Sequence, residues 1–268
     1  MIAYPAKVNG VATRVLEAGR AGPPVVFVHG TGGRAERWER NLDAVAAAGF
    51  RAYALDLPGH GFAAKGAGVQ CSVPAYRAFL AAFVSELGDK AFIVGTSLGG
   101  HVVASHAVDH PQDARGIALS GSMGLIPIGA AARGRIRAGA NNQTREGVAM
   151  KFTRVIFDQA LVTPDMVEAE FRINNSPGAK ESFAALGDYI GERLDEDVVG
   201  ERLAASPVPV LLAWGDKDQT VPFAVGEQAA KLLPRARFVR LEGAAHTPYY
   251  EKHEAFNEAL IAFLRAHA

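Results

Sequence analysis

Gly95-Thr96-Ser97-Leu98-Gly99-Gly100 follows the apolar run Ala91-Phe-Ile-Val94 and opens a helical segment. A serine between glycines at a strand–turn–helix junction can be held on a turn so tight that bulky neighbours two residues away would clash. Glycine at 95 and 99 meets that demand, and Gly100 lets the helix pack against neighbouring strands. The chemistry such a serine performs is nucleophilic attack on a carbonyl carbon. A hydroxyl is a poor nucleophile at neutral pH, so it needs a base within hydrogen-bond reach and an acid to orient that base. Eight histidines compete for the base role. His101, His106 and His110 lie in or beside the helix after Ser97, which directs them away from the turn. His29 and His60 sit in Gly-rich turns, and His253 and His267 read as surface helix positions. His246 follows a strand in a Gly/Ala loop late in the chain and is the candidate base. Two carboxylates, Asp216 and Asp218, lie in the turn after the preceding strand and are the candidate acids.

These residues need elements to hold them. Buried β-type runs stand at Pro24–His29, Arg51–Asp56, Ala91–Val94, Gly116–Ser120, Val208–Trp214 and Arg237–Leu241. Such runs fill a parallel sheet covered on both faces. Between them, Ala75–Leu87 places Tyr76, Phe79, Leu80, Phe83, Val84 and Leu87 on one helical face. Gly100–Asp109, Ala224–Leu233 and Glu254–Ala266 also read as helices. Strands alternating with helices predict a mostly parallel, doubly wound α/β sheet. One interval breaks the rhythm. Residues 124–206 carry no buried strand pattern and read as amphipathic helices, an insertion folded over the sheet. Residues 1–123 and 207–268 then form the core.

The chain has 268 residues, 49% of them hydrophobic and 21% charged, which suits one large α/β domain. Lys+Arg and Asp+Glu both number 28. A balanced charge argues against broad electrostatic binding to nucleic acid or an anionic membrane. The single cysteine, Cys71, excludes a disulfide framework and a Cys-rich zinc site. No basic segment followed by an apolar stretch opens the chain, and no run approaches the ~20 apolar residues of a membrane helix. A cytoplasmic location is the expectation. No Lys-Ser/Thr follows the early glycines, so a phosphate loop is not read there. No cofactor and no metal are expected.

Taken together the motifs resemble the α/β-hydrolase family over Val25 to Leu264. His29-Gly-Thr-Gly-Gly33, Asp56-Leu-Pro-Gly-His-Gly61, the Ser97 turn, Trp214-Gly-Asp-Lys-Asp218 with Val221-Pro222, and Gly243-Ala-Ala-His246 stand in family order. The resemblance implies the α/β-hydrolase fold, with helices on both faces of the sheet and an inserted helical cap. It places Asp218 on the acid position and leaves Asp216 to cap the turn. Some members carry the acid after the preceding strand. Here that strand runs into Leu119-Ser-Gly-Ser-Met-Gly124, without a carboxylate. The resemblance also implies an oxyanion hole from the backbone N–H groups of Leu98 and Thr31.

Phe157-Asp-Gln-Ala-Leu-Val-Thr-Pro-Asp165 is similar to the cap segment of meta-cleavage-product hydrolases, which cut a C–C bond in a dienoic diketone acid. In that subfamily a cap arginine binds a carboxylate, a role the resemblance offers to Arg172, which otherwise reads as a solvated helix charge. The chain departs from the subfamily at Thr96, at Gly32-Gly33-Arg34 and at Thr247. Helical spacing and position make Phe152, Phe157, Leu161, Met166 and Phe171 candidates for an apolar pocket under the cap. The expected partner is a small, partly apolar carbonyl substrate, an ester or lactone. C–C hydrolysis, perhydrolase or haloperoxidase chemistry, and a slow-turnover ligand receptor are the alternatives.

Overall fold

The computed structural model describes residues 1–268. Its strands are β1 (Ile2–Val8), β2 (Val11–Ala18), β3 (Pro24–Val28), β4 (Arg51–Leu55), β5 (Ala91–Thr96), β6 (Ala114–Ser120), β7 (Val210–Gly215) and β8 (Arg237–Leu241). They form one sheet in the order β1-β2-β4-β3-β5-β6-β7-β8. β2 pairs antiparallel with β1 and β4, and all other pairs are parallel. The helices are α1 (Glu39–Ala47), α2 (Val73–Glu86), α3 (Leu98–Asp109), α4 (Ala130–Asn141), α5 (Arg145–Val155), α6 (Pro164–Asn174), α7 (Ala179–Glu192), α8 (Gly200–Ala205), α9 (Phe223–Leu232), α10 (Pro248–Glu251) and α11 (His253–His267).

Side-chain alternation along the central strands explains the two cores. In β3, Val25 and Phe27 enter the core beneath α1 and α11, whereas Val26 and Val28 enter the larger core beneath α2 and α3. Both faces of the strand are buried, as the unbroken apolar run requires. Fully burying each such side chain contributes about 1.5–3 kcal/mol.

The N-terminal hairpin β1–β2 is an addition to the sequence reading. Its signal is present in Val8-Asn9-Gly10-Val11. Asn9 and Gly10 both have positive φ, 47° and 79°, as a two-residue type I′ turn demands. The hairpin extends the sheet at one edge and leaves the strands around Ser97 parallel.

Between β6 and β7 the chain forms only helices, α4 to α8, with short 3₁₀ turns. This stretch has a small core of its own, Val148, Phe152 and Ile156. α7 is shared with the main core through Leu186, Tyr189 and Ile190. No helix of the chain is long and apolar enough to cross a membrane.

Candidate active site

Ser97 sits between β5 and α3 with φ 54° and ψ −121°. Asn9 and Ser97 are the two non-glycine residues with positive φ. A side chain in that region is strained, and such strain persists only where the surroundings over-determine it. Here they do. A Cβ on Gly95 would fall 2.5 Å from the Gly99 oxygen, and one on Gly99 would fall 2.3 Å from the His29 oxygen. The turn therefore closes only with glycine at both positions. The Ser97 N–H donates to the Ser120 oxygen at 3.1 Å, which joins the turn to the end of β6.

His246 lies in the loop after β8 and Asp218 in the turn after β7. The two side chains meet with His246 Nδ1 2.7 Å from Asp218 Oδ2. The second carboxylate oxygen accepts from the N–H groups of Thr220 at 2.8 Å and Val221 at 3.0 Å. Both side chains are almost fully buried. With Nδ1–H given to the carboxylate, Nε2 is left free to accept a proton. Asp216 faces the other way. It accepts from Arg240 Nη2 at 2.9 Å and from the Gly243 N–H at 2.9 Å. The peptide after Ser120 brings the groups together: Ser97 bonds to Ser120, and the next residue, Gly121, lies directly against the His246–Asp218 pair.

The loop after β3 lies against Ser97; a Cβ on Gly30 would be 2.8 Å from Ser97 Cβ. His29 orients this loop. Its Nε2 accepts from the Leu57 N–H at 3.0 Å, so the ring proton resides on Nδ1, which donates to the Gly30 oxygen at 2.8 Å. The Gly33 N–H donates to the same oxygen at 3.0 Å. Because the trans peptide is planar, the Thr31 N–H must point opposite to that carbonyl. At the other side, Leu98 opens α3, where the first N–H groups have no partner within the helix. Lys151 Nζ and Asn174 Nδ2, from α5 and α6, donate to the Gly32 oxygen at 3.3 and 3.4 Å. Lys151 and Arg37 both pair with the fully buried Glu170.

Burial pushes His29 down from 6.5 to about 4 and His60, whose ring neighbours it, down to about 3. Both are neutral in the folded chain at pH 7. As pH falls from 6.5 towards 4, the unfolded chain takes up protons that these buried rings refuse, so stability falls with pH over that range. The thermal midpoint should decline accordingly, and His60→Phe should make the decline shallower. An unchanged slope in that variant would remove His60 from the account.

The residues expected under a cap divide. Phe152 is fully buried in the small helical core, against which Leu161, Met166 and Phe171 pack partly buried. Two expectations need correction. Phe157 is 54% exposed. Arg172 has a side chain 75% exposed and pairs with Glu168 at 2.6 Å, one turn back on the outside of α6. Helical phase is the reason. Glu170 and Asn174 carry the inward face of α6, and Arg172 is displaced from Glu170 by about 200° around the axis. The inward charges are Lys151 and Glu170, which sequence reading missed. No motif marks a lysine and a glutamate that meet from different helices. Gly121 and Glu251 were missed because what they touch likewise lies far along the chain or across a loop. No group of three His, Cys, Asp or Glu side chains is arranged to hold a metal ion.

An elbow serine, a buried His–Asp pair and a Gly-rich loop, set at the ends of parallel strands, define a hydrolase-fold enzyme. The chain belongs to the alpha/beta hydrolase family, whose model matches residues 25–259. It is 34% identical over 261 residues to the dihydrolipoyllysine-residue acetyltransferase component of the acetoin cleaving system of Cupriavidus necator, covering 95% of this chain and 67% of that one. It is 26% identical over 264 residues to a 2-hydroxy-6-oxononadienedioate/2-hydroxy-6-oxononatrienedioate hydrolase of Burkholderia vietnamiensis, covering 93% and 89%. Among solved structures, a thermophilic esterase from Thermogutta terrifontis superposes with TM-score 0.80 at 25% identity, covering 99% and 100%. A meta-cleavage product hydrolase from Pseudomonas fluorescens gives TM-score 0.88 at 21% identity, covering 99% and 98%, a likeness of fold.

Proposed function

We propose that the chain is a serine hydrolase of small, partly apolar carboxylic esters or lactones. Ser97 Oγ attacks the carbonyl carbon while His246 Nε2 takes its proton. Asp218 holds the imidazole in the required tautomer and stabilises the imidazolium. The N–H groups of Leu98 and Thr31 bind the oxyanion of the tetrahedral intermediate. His246 then protonates the leaving alkoxide, and water attacks the acyl-enzyme with His246 again as base. The observation that carries this reading is the 2.7 Å bond from His246 to Asp218, which leaves Nε2 free.

Residues 124–206 act as a cap over the strand ends, and residues 1–123 with 207–268 form the catalytic core. Leu161, Met166 and Phe171 offer the substrate an apolar wall, with Phe152 sealed behind them. Met166 lines a small cavity with Arg34, Arg37 and Tyr250, where the cap meets the loop after β3.

A second reading shares the acyl-enzyme and changes the acceptor. The acetyltransferase relative, alike over 95% of this chain, favours transfer of the acyl group to a thiol. C–C hydrolysis is a third reading: the 2-hydroxy-6-oxononadienedioate hydrolase relative favours it, whereas Arg172, outside on α6 and paired with Glu168, offers it no carboxylate contact.

A p-nitrophenyl ester panel, run with and without dihydrolipoamide, separates the three. Turnover in water alone supports hydrolysis. Thioester formation that outpaces hydrolysis supports transfer. Turnover of a dienoic ring-cleavage product with neither of these supports C–C cleavage. Arg172→Ala should leave kcat/KM unchanged on neutral and acidic substrates alike. A loss of about 1.5–3 kcal/mol on the acidic substrate alone would restore a charge-binding role.

A further inference from the structure

Two stretches of chain far apart in sequence meet on one carboxylate. Glu251, the last residue of α10, uses one oxygen to accept from the Ala245 N–H at 2.8 Å, with Thr247 Oγ1 3.4 Å away. Its other oxygen accepts from the N–H groups of Phe157 at 2.6 Å and Asp158 at 3.2 Å. Thr247 reinforces the seam, donating its N–H and its hydroxyl to the Val155 oxygen at 3.1 and 3.0 Å. One side of the seam is the loop that presents His246. The other is the turn that ends α5, inside the helical stretch between β6 and β7.

The chemistry of this carboxylate is specific. It is buried, and the donors it accepts from are three backbone N–H groups. Burial pushes its carboxyl up, and the donors oppose that. Only a group with an acceptor at each end can bind both segments. A glutamine has one acceptor oxygen, and its NH₂ would face an N–H donor at the opposite end. An aspartate is one methylene shorter than the span it would have to bridge.

We propose that Glu251 is a positioning residue that couples the seat of His246 to the docked state of residues 155–158. While the helical stretch is docked, both carboxylate oxygens are engaged and the backbone before His246 is fixed. When the stretch lifts, the N–H groups of Phe157 and Asp158 leave, the carboxylate is free to swing, and the His246 loop loosens. The base is thus in register only when the site is closed. This rests on the reading of His246 as the base for Ser97.

The test uses the full chain with Glu251→Gln, Glu251→Asp and Glu251→Ala. Steady-state kinetics on a p-nitrophenyl ester is paired with hydrogen exchange of the peptides spanning 155–158 and 244–247. For Glu251→Gln we expect a fall in kcat of about 10- to 100-fold, the cost of a small misplacement of a catalytic group, with KM within about twofold. Exchange should rise in both peptides together, and Glu251→Asp should recover neither. Full kcat in Glu251→Gln overturns the proposal. So does faster exchange in one peptide only, or a loss that tracks the folded fraction seen by circular dichroism. If Glu251→Ala does not fold, Glu251→Gln decides. The exchange arm is independent of the chemistry. A wild-type chain that fluorophosphonate does not label at Ser97 would defeat the catalytic reading, while coupled exchange would still report on the seam.

Discussion

Ser97→Ala is expected to lower kcat by about 10³- to 10⁶-fold on any ester the chain hydrolyses, leaving the slow rate that an oxyanion hole and binding alone provide. The expectation follows from the role of Oγ: without it no acyl-enzyme forms, and His246 has no proton to take. The fold should be indifferent to the change. The strain at φ 54° belongs to any residue with a Cβ, so alanine inherits it and the thermal midpoint should stay put. Mass spectrometry of fluorophosphonate-treated protein checks the same assignment, with the adduct expected on the peptide carrying Ser97. An adduct elsewhere, with Ser97 unmodified, would move the nucleophile.

Asp218→Asn should cost about 10²- to 10⁴-fold in kcat with little effect on stability. The turn needs an oxygen to accept from Thr220 and Val221, and asparagine keeps one. The amide then presents its NH₂ to His246 Nδ1. That forces the ring proton onto Nε2, where it blocks uptake of the serine proton. Asp216→Asn is the comparison. Asp216 bonds to Arg240 and Gly243 at the surface side of the turn, so its loss should cost little activity. A larger effect at 216 than at 218 would reverse the choice of acid.

Ser97, its flanking glycines and the strand before it could be read because their demands are local: a tight turn selects for small residues within two positions. His246 and the two carboxylates could be narrowed by their places after apolar runs, with the family resemblance choosing Asp218. The residues that escaped do their work across long separations. Lys151 reaches Gly32 across 119 residues, and Glu251 reaches Phe157 across 94. Nothing in the amino acids around either position announces such a partner. Arg172 shows a different failure. Its residue type suited anion binding, but the phase of α6 is set by Glu170 and Asn174, and a side chain two residues from an inward position faces solvent. The β1–β2 hairpin escaped although Asn9-Gly10 is a strong turn signal, because β1 is a largely exposed edge strand with little apolar contrast.

Gly121 has a consequence for how such an enzyme can vary. It leaves β6 with φ 51°, and a Cβ there would come within 3.0 Å of both Asp218 Oδ2 and His246 Nδ1. The bare α-carbon is the floor on which the acid and the imidazole rest. A side chain on residue 121 would enter the space that Asp218 Oδ2 and His246 Nδ1 share, and its φ of 51° would strain it as well. Glycine at this one position is thus a condition of the contact between the two side chains. An alanine there must push the imidazole and the carboxylate aside or tilt the end of β6, and either movement lengthens the 2.7 Å bond they share.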